Sequence, residues 1–282
     1  MKDFRGKVAV VTGAASGLGR AMAGRFAREG MRIVLADVDE PGLAGVARDI
    51  TGSGVQALPV RTDVSKSEEV ERLAQRALET FGSVHLVINN AGVAPLGSVW
   101  ENPVADWRWA LGVNLWGVIH GVRVFAPLLL AQDEGHIVNT ASVAGLISPP
   151  GMGVYNVTKH AIVALTETLH HDLARRGTKV RCSVLCPAYV PTGIAESERN
   201  RPAELGDASE AKSPERRALE DNLRKAVQSG KLSADDIAES VIDAVREERF
   251  YILTHPRIDA AIRARMEDLL ARRDPRDPLA LG

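Results

Sequence analysis

Apolar residues in this chain follow two alternating rhythms. Short apolar runs at 8–11, 33–36, 58–60, 86–88, 137–138, 180–185 and 251–253 carry little of the in-and-out alternation of a half-solvated strand, and each predicts a strand buried on both faces. Between them, at 18–29, 41–50, 65–81, 104–130, 155–175 and 233–248, apolar residues recur every three or four positions and predict helices. Strand followed by helix, repeated along the chain, implies an α/β fold: a doubly wound parallel sheet with helices on both faces, three layers deep.

Several boundaries carry local signals. Ser65 with Glu68 three residues on, and Ser233 with Asp236, each offer a helix cap and its reciprocal acid. Gly30 and Gly82 stand where helices end. No repeat and no linker rich in Pro, Gly or Ser divides the chain, so one domain is expected over 1–256, followed by a helical extension and tail over 257–282. The stretch 193–230, charged and interrupted by Pro202 and Pro214, reads as an excursion of loops and short helices. It follows a strand, on the side where open sheets bind ligands.

Charge and cysteine content narrow the partners. With 35 basic and 36 acidic residues and a formal net charge of -1, nothing favours nucleic acid or an anionic membrane surface. No unbroken apolar run reaches the roughly 18 residues of a membrane span, and the first residues hold no signal-peptide core, so a cytoplasmic location is expected. Cys182 and Cys186, four apart on one strand and therefore roughly 13 Å from each other, read as reduced core thiols. His170 and His171 diverge on a helix with no acid or cysteine at ligand spacing, so no metal is expected. Trp107, Trp109 and Trp116 fit helix packing or a subunit contact better than a ligand groove.

Candidate chemistry begins at the first strand. Thr12-Gly13-Ala-Ala-Ser16-Gly17-Leu18-Gly19 joins that strand to a helix. Gly13 permits a tight turn, Gly17 lets the backbone approach a phosphate, and Gly19 lets the helix pack close with its N-terminus aimed at the anion. The next strand ends at Asp37, about twenty positions on, where a carboxylate accepts hydrogen bonds from ribose hydroxyls and repels a ribose phosphate. With Ser16 in the turn and Val38 after the acid, no basic side chain is at hand, and NAD is favoured over NADP. Asp37 capping a nearby backbone amide is the plainer alternative.

Tyr155 and Lys159 lie four apart in a helical segment and share a face. An ammonium beside a phenol favours the phenolate, so a lowered Tyr155 pKa and a proton-shuttling role are expected. Ser142 emerges at the end of the strand before it, placed to orient a substrate oxygen. Asn114, a polar residue in an apolar helix, is a candidate to hold a water linking Lys159 to solvent.

Taken together, Thr12 to Gly19, Asn89-Asn90-Ala91-Gly92, Asn114, Ser142, Tyr155-x3-Lys159 and Cys186-Pro187-Ala188-Tyr189-Val190-Pro191-Thr192 resemble the short-chain dehydrogenase/reductase family over roughly Lys7 to Thr192. The resemblance implies a Rossmann fold and a catalytic set of Asn114, Ser142, Tyr155 and Lys159. It implies that Asp63 and Val64 meet the adenine, that Asn90, Ala91 and Gly92 run beside the adenosine, and that Pro187, Val190 and Thr192 flank the nicotinamide and phosphates. Ala188 stands where the family usually has glycine.

Segments 113–121, 135–142, 194–202 and 251–256 are similar to a longer branch that includes Cα-dehydrogenases of lignin-type aryl ethers. That likeness implies a bulky, largely apolar secondary alcohol or ketone, with pocket walls at Ala144, Met152, Tyr189 and the excursion after Thr192. A homodimer or homotetramer is likewise implied. Two alternatives stand beside this reading: an NADPH-dependent carbonyl reductase of 3-oxoacyl or steroid type, and a catalytically silent NAD-binding sensor.

Overall fold

Val8, Ala9, Val10 and Val11 are all fully buried, as an unalternating run must be when helices cover both faces of its sheet. In the computed structural model, which describes residues 1–206 and 213–281, this run is β1 (Val8–Thr12). It is joined by β2 (Arg32–Asp37), β3 (Ala57–Arg61), β4 (Leu86–Asn89), β5 (His136–Thr140), β6 (Arg181–Cys186) and β7 (Tyr251–Leu253). All pair in parallel, in the order β3-β2-β1-β4-β5-β6-β7.

The helices are α1 (Gly17–Arg28), α2 (Glu40–Gly52), α3 (Ser67–Phe81), α4 (Val104–Ala110), α5 (Gly117–Ala131), α6 (Gly153–Arg176), α7 (Pro214–Gln228), α8 (Ala234–Glu247) and α9 (Asp259–Leu270). Alternate residues of each strand feed opposite layers. Ala9, Val11, Ile33 and Leu35 pack with Met22, Phe26 and Ile242 of α1 and α8. Val8, Val10 and Val34 pack with Leu73, Phe125 and Leu129 of α3 and α5. The doubly wound, three-layered fold is the one that the strand and helix rhythm predicts.

Four details depart from that prediction. β3 and β7 are edge strands, partly exposed rather than buried on both faces, with Tyr251 and Leu253 at 45% and 41% exposure. An apolar run does not say whether a neighbour covers its second side, although Pro59 within β3 suits an edge. Second, α3 starts at Ser67, not at Ser65. The Asp63 carboxylate takes both the N–H and the hydroxyl of Ser65, and Glu69 rather than Glu68 reaches back to the Asp63 N–H at 2.7 Å.

Third, the helix expected over 104–130 runs through α4 and α5 for 28 residues, but it is also long and apolar enough by length and composition to cross a membrane. Its few scattered charges break any unbroken apolar run without lowering the average below that threshold. Phe125, Ala126 and Leu129 on its inner side belong to the core. Between α4 and α5 the helix widens to a π turn over Leu111–Trp116. Fourth, the excursion ends in a full helix, α7, after short 3₁₀ turns at Gly193–Asn200 and Ala203–Leu205; its residues 207–212 lie outside the described part.

α8 opens as the Ser233 and Asp236 pairing predicts. The Ser233 hydroxyl accepts from the Asp236 N–H at 3.1 Å, and the Asp236 carboxylate accepts from the Ser233 N–H at 2.8 Å. Because α8 packs on α1, which carries the glycine turn, this cap supports the binding side of the sheet. Ser233→Ala should destabilise the protein by about 1 kcal/mol and lower Tm by roughly 2–4 °C in thermal denaturation. An unchanged Tm would show that the cap contributes nothing.

Candidate active site

β1 and β4 are neighbours in the sheet although two strands and three helices separate them in sequence. Connections leave these strands toward opposite sides, and a crevice opens beyond their carboxyl ends. Thr12 closes its floor. Its hydroxyl accepts from the N–H groups of Asn90 at 2.9 Å and Ala91 at 3.1 Å, and its carbonyl accepts from the Asn90 amide at 3.0 Å.

The glycine turn forms one wall. Gly13 and Gly17 have φ of +68° and +52°, and a Cβ on Gly19 would sit 2.1 Å from the Gly13 carbonyl oxygen, so α1 approaches the turn only because no side chain intervenes. Ser16 makes no side-chain cap, and no acid stands in the first turn of α1. Its leading N–H groups are therefore left for an anion, which is what a pyrophosphate needs.

At one end of the crevice the two oxygens of Asp37 accept from the N–H groups of Ala15 and Asp39, at 3.0 and 3.1 Å. The carboxylate thus braces backbone, and the lone pairs that remain on it border the cavity. Asp63 and Val64 line the same end, Val64 pressed against Gly117, where a Cβ would lie 2.7 Å from its Cγ2. Arg61 also lines it, as the register partner of Asp37 in the neighbouring strand, with its guanidinium 3.3 Å from Glu69. No local pattern in the sequence announces that neighbour.

The other end gathers the candidate catalytic groups. The Ser142 hydroxyl donates to the Pro187 carbonyl at 3.3 Å and accepts from the Ala144 N–H at 3.2 Å, which fixes it between the ends of β5 and β6. Tyr155 and Lys159 lie on α6, with Lys159 Nζ 5.4 Å from the Tyr155 ring centroid and donating to the Thr140 carbonyl at 2.9 Å. Burial pushes the Tyr155 phenol up to about 12, against the pull of the Ser142 hydroxyl, and brings Lys159 down to about 8. The lowered phenol expected from the four-residue spacing is not found, because desolvation outweighs the hydrogen bond with Ser142.

Asn114 sits in the π turn and is fully buried. Its Oδ1 accepts from the Val93 N–H at 2.8 Å, and its Nδ2 donates to the Val93 carbonyl at 2.9 Å and to Thr158 Oγ1 at 3.1 Å. The side chain ties the segment after β4 to α6 behind the cavity wall. Ala188, where glycine is usual in the resembling family, avoids the left-handed region, and its N–H donates to His255 Nδ1 at 3.2 Å.

These groups share one cavity of about 580 Å³. It collects Gly13, Ser16, Gly17, Leu18, Asp37, Asp63, Val64, Asn90, Ala91 and Gly92 on the way to Ser142, Tyr155, Lys159, Pro187, Val190 and Thr192. Gly19 and Asn114 stand behind it. Ala144, Met152 and Tyr189 do not line it. Gly145 packs where a Cβ would be 2.6 Å from the Lys159 carbonyl, which carries Ala144 into the core, and Met152 bridges to Gly97. Tyr189 is 38% exposed. The apolar wall beyond Tyr155 comes instead from Val93, Trp109, Ile194, Leu205 and Val227. Trp109 is thus both a packing residue and a cavity residue, whereas Trp116 stacks on His120 outside the cavity.

Residues 7–203 match the family model described as short chain dehydrogenase. The chain is an oxidoreductase belonging to the short-chain dehydrogenase/reductase family. Its structure is similar to a short-chain dehydrogenase/reductase from Burkholderia phymatum in complex with NAD, with 55% identity, 99% of each chain covered and a TM-score of 0.97. It is 36% identical over 272 residues to the CLA biosynthesis dehydrogenase/reductase of Lactiplantibacillus plantarum, covering 96% of this chain and 95% of that protein. It is also 37% identical over 262 residues to the 1-deoxy-11-beta-hydroxypentalenate dehydrogenase of Streptomyces exfoliatus, covering 92% and 86%.

The depressed Lys159 has a measurable consequence. Its folded pKa of about 8 lies below the ordinary lysine value of 10.5, so the unfolded chain binds the proton more tightly. The contribution of Lys159 to stability is then fully present above pH 10.5 and is lost as pH falls through 8. Lys159→Met should therefore be more thermostable than the parent at pH 7, with the Tm gap closing between pH 8 and 10.5. A gap that stays constant over that interval contradicts the buried ammonium.

Proposed function

We propose that this protein is an NAD-dependent dehydrogenase or reductase interconverting a secondary alcohol and a ketone, bulky and apolar or aromatic, with Tyr155 as the acid and base. The observation that carries this reading is the convergence, in one cavity, of an uncapped helix N-terminus, the Asp37 carboxylate and the Ser142, Tyr155 and Lys159 side chains. A bound nicotinamide dinucleotide would supply the hydride donor or acceptor and, when oxidised, a positive charge.

The chain's own residues do the rest. Gly13, Gly17 and the first turn of α1 receive the pyrophosphate, and Asp37 receives the ribose hydroxyls. Ser142, whose hydroxyl donates to the Pro187 carbonyl and accepts from the Ala144 N–H, keeps one lone pair to accept from a substrate hydroxyl. Tyr155, protonated at neutral pH, is set up to give its proton to a ketone oxygen. In the oxidative direction the Tyr155 phenolate takes the alcohol proton and becomes the phenol, and the nearby Lys159 ammonium favours that ionised form beforehand. Val93, Trp109, Ile194 and Leu205 offer the substrate an apolar wall and keep water away from the exchange.

A homodimer or homotetramer in the cytoplasm belongs to the same proposal. Trp116 and Val157, 51% and 49% exposed, offer an apolar contact for a second copy.

A second reading, an NADPH-dependent reductase, draws on Arg61, a basic side chain beside Asp37. The two separate on kcat/KM for NADH against NADPH. The proposal expects NADH to be preferred and Asp37→Ala to erode that preference by at least about tenfold, roughly 1.4 kcal/mol of discrimination. A native preference for NADPH overturns the role given to Asp37. For the chemistry, Tyr155→Phe should bind NADH normally while losing about 10²–10⁴ in kcat. Undiminished turnover in that variant removes Tyr155 from the reaction, and tight NADH binding with no turnover of any alcohol or ketone by the parent protein favours a sensor.

A further inference from the structure

Among its described residues, the excursion over 193–230 buries only Ser197, Arg216 and Val227. Partly buried Leu205 packs on the Val93 and Trp109 cluster, and Leu219 lies against Gly151. A buried ion cluster adds to these contacts. Asp106, on α4 and wholly inaccessible to solvent, faces two arginines from the excursion: Arg201 at 2.8 Å on one carboxylate oxygen and Arg216 at 2.8 Å on the other. Asn102 donates to the second oxygen at 3.2 Å.

Each arginine is itself constrained. Arg201 lies 5.3 Å above the Trp109 ring, donates to the Gly206 carbonyl at 2.9 Å and sits 3.6 Å from Glu198. Arg216 is 3.5 Å from Glu220. Trp109 and Leu205 both line the cavity, and Leu205 packs on the cluster that Val93 forms with Trp109. Ser197 accepts from the Ala94 N–H at 3.1 Å, two residues from the run that follows β4. The charged cluster thus lies directly behind the far wall of the cavity and spans α4 and both described flanks of the excursion.

Desolvating a carboxylate and two guanidiniums is costly, and well-packed apolar side chains in their place are often as stable. What an ion cluster adds is a fixed geometry. Two arginines with forked donors on one carboxylate allow few alternative placements of the segments that carry them.

We infer that Asp106, through Arg201 and Arg216, is a positioning residue that fixes the excursion against α4 and so sets the depth of the substrate chamber. It matters for substrates long enough to reach Trp109 and Leu205, and not for cofactor binding. The inference rests on the cavity beyond Tyr155 being the substrate site, as proposed above.

The test uses the full-length protein carrying Asp106→Asn, with Arg216→Met as a second variant whose changed residue lies on α7, outside the sheet. In hydrogen exchange, peptides from 193–206 and 213–230 should exchange at least about tenfold faster in both variants, while peptides from β1, β4 and β5 stay unchanged. The NADH Kd, measured by calorimetry, should remain within about twofold, and KM for 4-phenylacetophenone should rise about tenfold while KM for acetone does not move. Unchanged exchange in the excursion of both variants overturns the inference. So does accelerated exchange throughout the sheet with NADH affinity falling in step, which would mark a general structural role. If the parent protein reduces neither ketone, the proposed substrate class fails, whereas the exchange and NADH measurements still decide the clamp.

Discussion

The carbonyl of Gly13 and the first turn of α1 lie so close that a single methyl group at position 19 would sit 2.1 Å from that oxygen. Everything at the binding end of the sheet depends on this contact. It sets where the N-terminus of α1 points, and it leaves that terminus without a side-chain cap, ready for an anion. It also brings Gly13 against the segment after β4, where a Cβ on Gly13 would lie 2.9 Å from Ala91 Cα. Thr12 fastens that segment to β1. The crevice is the space left by three backbones held nearly as close as backbones can come.

At the opposite end the electrostatics are those of a partly dry site. Burial favours the neutral form of both Tyr155 and Lys159, raising one and lowering the other. Ser142 works against the rise in Tyr155, and the Thr140 carbonyl holds the Lys159 ammonium in place. Such a site gives a phenol ready to donate, and its ionised form becomes accessible only as positive charge gathers around it. Asn114 contributes from behind by holding Val93 and Thr158, which ties the cavity wall to α6.

What could be read from the chain follows the range of the forces involved. β1, β2 and the glycine turn were legible because burial on both faces and positive φ leave local marks in residue type. β3 and β7 carry the same apolar marks, yet exposure depends on whether a neighbour covers them, which no short window contains. Ser65 looked like a cap although Asp63, two residues before it, is a local competitor that takes both its N–H and its hydroxyl. Arg61 enters the Asp37 site only through strand register, and Asp106 meets Arg201 and Arg216 across roughly a hundred residues of chain. Ala144 and Met152 follow Ser142 in sequence, but the packing of Gly145 on α6 turns that segment away from the cavity. The groups that converge at the far end of the cavity were legible as types at a spacing; the walls around them were not, since walls are made by distant segments.

In the proposed reaction hydride and proton part company at Tyr155: the alcohol proton goes to its phenolate and the hydride to a nicotinamide. Incubating the protein with NAD and 1-phenylethanol carrying deuterium on its carbinol carbon, then examining the NADH by NMR, tests this directly. Deuterium is expected at C4 of the nicotinamide, on one face only, and to appear about 10²–10⁴ times more slowly with Tyr155→Phe. NADH formed without deuterium at C4, or label lost to solvent, would contradict direct transfer and with it the reading of this site.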